Sequence, residues 1–121
     1  MGVTFKQEPG NVYFVRITGV LKKSELDAMQ ASAAKMLDSD PLLGLKLLFV
    51  VENFEGWERG VNWDDMSFYT KYGDKITRMA IVSDPKLQAE LKMFSGAGFR
   101  SAPVKFFTPN QLEDARIWLA E

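Results

Sequence analysis

The acidic side chains Glu52, Glu55, Glu58, Asp64 and Asp65, with Arg59 among them, form the densest group of residues in this sequence that could do chemistry. Carboxylates so placed could supply a general acid and a general base, or oxygen ligands for a hard cation. Their spacing matches no established metal loop, and solvated loop charge is the simpler expectation. Gly56 and Gly60 are too sparse to cradle a phosphate and fit neither nucleotide-binding fingerprint. The sequence contains no cysteine and no histidine. This removes disulfides, thiolate nucleophiles and thiolate metal sites, together with the commonest general base and the commonest metal ligand. Carboxylate, lysine, tyrosine or serine chemistry stays open, although hydrolysis is harder to build without histidine. No catalytic residue, metal ligand or cofactor is assigned, and the chain is read as a non-enzyme.

A second group of residues points to binding. Phe54, Trp57 and Trp63 crowd large rings into a segment, residues 52–61 and its continuation, that reads as a loop. The stretch that follows adds Met66, Phe68, Tyr69 and Tyr72, and Phe94 and Phe99 flank Gly96-Ala97-Gly98. In one reading Phe54, Trp57, Trp63, Met66, Tyr69, Phe94 and Phe99 line an apolar pocket for a small nonpolar or amphipathic molecule, with the glycine-bearing loop as its gate. In another the rings complete the core or a homodimer seam, as aromatic residues at helical spacing usually do. In a third, Trp57, Arg59 and Trp63 anchor a protein partner. The sequence leaves all three open.

The elements that must position these residues fit one domain over residues 1–121, because the 121 residues are too few for two independent cores. Apolar residues make up 46% and charged residues 26%, which is a globular composition and not a disordered one. A formal net charge of −1 gives no field to gather a phosphate backbone, so nucleic acid is not expected as a partner. The longest apolar run, residues 47–51, cannot span a bilayer, and residues 1–10 lack the apolar stretch of a secretory signal. The expectation is a cytoplasmic protein.

Alternation around Val3 and Phe5, turn residues from Glu8 to Asn11, and β-branched and aromatic residues at 12–17 predict an antiparallel hairpin ending at Gly19. Ser24 stands before a helix with Leu26, Met29, Ala33 and Met36 or Leu37 at helical spacing, ending near residues 38–41. Residues 45–51, apolar except for Lys46, read as a central strand covered on both faces. Asn62 can cap a second helix that Gly73 ends, and residues 76–82 form the next strand. Asp84 and Pro85 open a third helix carrying Leu87, Leu91 and Phe94, which residues 95–98 break. Residues 104–107 are the last strand. Thr108, Pro109 and Gln111 then make a capping box before Leu112, Ala115, Trp118 and Leu119. The order ββαβαβαβα predicts an α/β fold with a mainly parallel five-stranded sheet and four helices.

The segments Phe54-Glu55-Gly56-Trp57, Trp63-Asp64-Asp65-Met66, residues 78–84 (RMAIVSD) and residues 103–119 (PVKFFTPNQLEDARIWL) resemble the bacterial SpoIIAA-like proteins, in that order and over nearly the whole chain. The resemblance implies the STAS-type fold shared with anti-sigma-factor antagonists and the cytoplasmic tails of anion transporters, and it mildly favours carrier-like or lipid-like binding. Signalling members of that wider class carry a phosphorylatable serine at the start of the helix after the central strand. The corresponding turn here reads Asn62-Trp63-Asp64-Asp65, so a kinase-switched role is not expected and an adaptor would have to work without that serine. The acids are ordinary partners of a helix N-terminus.

Overall fold

In a computed structural model the chain is described over residues 2–40, 44–61, 67–94 and 103–121. Strand β1 (Val3–Glu8) pairs antiparallel with β2 (Val12–Leu21). The turn between them uses Gly10 and Asn11 at φ 80° and 62°, a left-handed conformation that glycine and asparagine tolerate best. Helix α1 (Lys23–Ser39) leads to β3 (Leu45–Trp57), and α2 (Ser67–Tyr72) runs through a 3-10 turn at Gly73–Lys75 into β4 (Ile76–Val82). A 3-10 turn at Pro85–Leu87 opens α3 (Gln88–Phe94), then come β5 (Val104–Phe107), a turn at Pro109–Gln111 and α4 (Leu112–Ala120). The sheet order is β1-β2-β3-β4-β5, with β2 to β5 mutually parallel. The fold class and the element order expected from the sequence are those observed.

This strand order decides where the helices go. Right-handed crossovers that always step to the next strand on the same side leave every connecting helix on one face of the sheet. Accordingly Leu26, Met29, Ala33 and Leu37 of α1, Phe68 and Tyr72 of α2, and Leu91 of α3 share one core with Tyr13, Val15, Ile17, Leu47, Phe49, Val51, Met79 and Ile81. Helix α4 has no further strand to reach. It packs on the other face, where Ala115 and Leu119 meet Phe14, Leu48, Val50, Ala80, Val82 and Phe107. Alternate residues of β3 and β4 thus enter opposite cores, which is why residues 45–51 of β3 and residues 79–82 of β4 are almost continuously apolar. Each fully buried Leu, Ile or Phe contributes about 1.5–3 kcal/mol relative to exposure.

The two cores are closed differently at their rims. On the first, the Tyr72 hydroxyl donates to the Asp38 carboxylate at 3.0 Å and ties α2 to α1. Tyr13 is 2% exposed and stacks on Phe5 at 5.9 Å, and its hydroxyl is buried with no hydrogen bond of ordinary geometry. Burial raises its pKa above 10.0, with the Ser32 side chain offsetting part of the shift. On the second face α4 packs over β3, β4 and β5. Toward β1 and β2 it is charged stems that cover Phe14: Lys6, Arg16 and Arg116 place their cations 5.7, 5.5 and 5.5 Å from its ring centroid.

Three local expectations are corrected. Gly19 does not end β2, because at φ 68° it absorbs a register shift and the strand continues to Leu21. Residues 52–57 are not loop, because β3 continues through them: Gly19, Val20 and Leu21 pair with Phe54, Gly56 and Trp57, and Asn53 takes up the irregularity at φ 49°. Ser24 does not stand before the first helix; α1 begins at Lys23, whose backbone N–H donates to the distant Glu58 carboxylate, while the Glu25 N–H donates to the Lys22 carbonyl. The start expected for the second helix, with Asn62, Asp64 and Asp65, falls on residues outside those described.

Candidate functional site

Ligands of open parallel sheets bind beyond the carboxyl ends of the strands. Here that edge is shaped by the unequal lengths of β3 and β4. Pairing of β3 with β4 stops at Val50 and Val82, whereas pairing of β3 with β2 continues to Trp57 and Leu21. A two-stranded ribbon therefore stands above the carboxyl end of β4. Asn53 and Gly56, at φ 49° and 120°, let the long strand bend where a straight one would twist away.

The ribbon carries Phe54 and Trp57. Their rings meet edge to face, 5.5 Å between centroids and 79° between planes, and both are half-buried against the rim of the first core. Arg59 and Val61 follow as exposed residues, Val61 at 36% exposure. Of the other expected wall residues, Tyr69 belongs to α2 and Phe94 to α3, the two helices that flank β4 in sequence. Trp63, Met66, Phe99 and the Gly96-Ala97-Gly98 segment lie outside the described residues. Phe68 and Tyr72 are core residues, 9% and 6% exposed, tilted against each other at 5.4 Å.

The described carboxylates of this segment, Glu52, Glu55 and Glu58, do not converge, and Asp64 and Asp65 lie outside the described residues. Glu52 pairs with Arg16 at 3.1 Å, Glu55 is exposed, and Glu58 accepts the Lys23 backbone N–H at 2.9 Å, which caps α1. Among the described residues no group of three or more Asp or Glu side chains gathers as a metal site would require. A cleft of about 480 Å³ does lie at this end of the sheet, but neither Phe54 nor Trp57 lines it. It is bordered by Thr18, Val20, Lys22, Glu25, Asn53 and Glu55, and one Glu25 carboxylate oxygen is buried there without a hydrogen bond. Neither Glu25 nor Lys22 had any signal in the sequence beyond a place near a helix start.

Further along the same edge, Ser83 is 2% exposed and its N–H donates to the Phe107 carbonyl at 3.0 Å. Asp84 accepts from the Lys86 N–H at 3.1 Å and starts the turn into α3. Thr108 and Gln111 make the expected capping box, with the Gln111 side-chain oxygen accepting the Thr108 N–H at 3.0 Å and Pro109 in the first turn. These caps end β4 at Val82 and β5 at Phe107, whereas β3 runs on to Trp57, past its last pairing with β4 at Val50.

A family model described as SpoIIAA-like matches residues 12–120. Among solved structures, the chain resembles the crystal structure of an uncharacterised protein of the DUF3478 family, with a SpoIIAA-like fold, from Shewanella loihica PV-4. That resemblance has a TM-score of 0.71 at 20% identity and covers 98% of this chain and 92% of the other. No curated protein matches. At that identity the structural neighbour shows the fold alone. No helix among the described residues is long and apolar enough to cross a membrane.

Proposed function

The chain belongs to the SpoIIAA-like family, and we propose that it is a non-enzymatic binding domain that takes a small nonpolar or amphipathic molecule at the carboxyl edge of its sheet. The observation that carries this reading is the ribbon of β2 and β3 beyond Val82, which holds the Phe54–Trp57 pair half-buried above the end of β4. Rings held rigidly at a strand end offer a large apolar surface with little entropy left to lose on binding. Trp63, Met66, Tyr69, Phe94 and Phe99 complete the wall in this reading, and the glycine-bearing segment between α3 and β5 gates it. The domain acts as one unit over residues 1–121, in the cytoplasm, without cofactor or nucleic acid.

Native mass spectrometry of freshly purified protein tests the reading. A co-purifying small molecule that is lost on denaturation supports it. A clean apo mass, together with failure of environment-sensitive lipid probes to bind, sinks it. The second reading, an adaptor related to anti-sigma-factor antagonists, draws on exposed Arg59 beside Trp57. In that case, or for a homodimer seam, Trp57→Ala shifts an oligomer or partner equilibrium and leaves probe binding alone.

A further inference from the structure

Lys46 is the single charged residue in the apolar first half of β3. Register sets it between Val12 of β2 and Arg78 of β4, and alternation with Leu48 and Val50 turns it to the α4 face. It is half-buried, and among the described residues no carboxylate pairs with it. Its cationic neighbours are answered. Arg116 binds Glu8 at 2.5 Å, and Arg78 donates to the Trp118 carbonyl and lies 3.9 Å from Glu121. The Trp118 carbonyl also accepts the Glu121 N–H at 3.2 Å, so it is taken by two donors already. Beside Lys46, between the hairpin turn and the last turn of α4, is a cavity of about 310 Å³ whose walls include Pro9, Val12, Leu119 and Ala120, with Glu8 and Arg116 at its polar side.

We propose that this cavity binds a small monocarboxylate with a short hydrocarbon body, its carboxylate on Lys46 and its body against Val12 and Leu119. One uncompensated cation calls for one negative charge, since the Arg116 cation is already matched by Glu8. The mainly apolar wall selects an amphiphile over a bare anion, and the volume sits at the small end of the roughly 300–1,000 Å³ usual for ligand sites. Lys46 and Phe54 are eight residues apart along β3, roughly 26 Å of strand. The two sites therefore succeed or fail independently.

Octanoate titrated into the full chain, followed by methyl and aromatic NMR, tests the assignment. Saturable shifts at Val12, Leu119 and Ala120 are expected, with octan-1-ol at least about tenfold weaker and Lys46→Met, still folded by circular dichroism, weakened by a similar factor. Equal response to octanoate in wild type and Lys46→Met overturns the proposal. So do equal shifts from inorganic phosphate, which mean a plain anion site, and shifts confined to Phe54 and Trp57, which belong to the other site alone. If Lys46→Met does not fold, Lys46→Gln with the same titration decides.

Discussion

The carboxylate of Glu58, one residue past the end of β3, accepts the backbone N–H of Lys23 at the start of α1 at 2.9 Å. The ribbon that carries the aromatic pair is thus fastened at its tip to the N-terminus of the longest helix, where negative charge is favoured. The Glu58 N–H also donates to the Leu21 carbonyl at 2.9 Å, so both ends of the residue hold the junction.

Glu58→Ala leaves that N–H without this acceptor and is expected to destabilise the fold by about 1 kcal/mol, whereas Glu58→Gln keeps an acceptor oxygen and loses less. Urea denaturation measures both. Equal losses for the two variants would mean that charge, and not the cap, is what matters.

Tyr13→Phe removes a buried hydroxyl without a well-formed hydrogen bond, and the variant is expected to be as stable as the wild type or up to about 1 kcal/mol more stable. The pH dependence has a definite sign. The folded-state pKa lies above 10.0, so the unfolded chain releases its proton first. Stability is full below pH 10 and falls as the pH rises beyond it. The stability difference between Tyr13→Phe and wild type should therefore grow above pH 10; a difference flat from pH 8 to 11 would contradict the assignment.

Gly19→Ala meets no atom within 4 Å, so any cost comes from the backbone alone. At φ 68° that cost is about 1–2 kcal/mol, and Gly19→Asn should recover part of it. The reverse change, Asn53→Gly, releases the left-handed residue of the partner strand and is expected to be neutral or mildly stabilising. Thermal melts of the three variants give the order directly.

Arg116→Ala uncovers Phe14 and leaves Glu8, whose side chain is only 14% exposed, with Lys6 as its remaining partner. The Arg116 side chain is 40% exposed, so solvent screening keeps the loss to about 1 kcal/mol. Repeating the unfolding in 1 M salt separates the ion pair, which weakens, from stem packing, which does not.

Much of the fold was written locally. Apolar runs at residues 45–51 and 76–82, the Asp84-Pro85 turn and the Thr108–Gln111 capping box are short-range signals, and each marks an element where it stands. What could not be read locally was the length of β2 and β3 at their carboxyl ends. Gly19, Asn53 and Gly56 are turn residues by type, and the register shift they accommodate breaks the period-two pattern on both strands. The Glu58 cap was hidden for a different reason, since its partner is 35 residues away and nothing in either neighbourhood specifies the pair. For the site, the concentration of rings was plain in the sequence. That two of them ride on a strand and not on a loop depends on the irregular pairing just described.

The order β1-β2-β3-β4-β5 has a bearing on how copies of this molecule meet in crowded solution. A sheet laid down strand by strand in sequence order keeps its two unsaturated margins in the first and last strands, where a stray chain could add itself. Both strands carry a lysine along that margin, Lys6 in β1 and Lys105 in β5, and β5 is only four residues long. An intruding strand would have to strip water from an ammonium group to gain a few backbone hydrogen bonds. Resistance to self-association is thus concentrated in the two strands that have a neighbour on one side only.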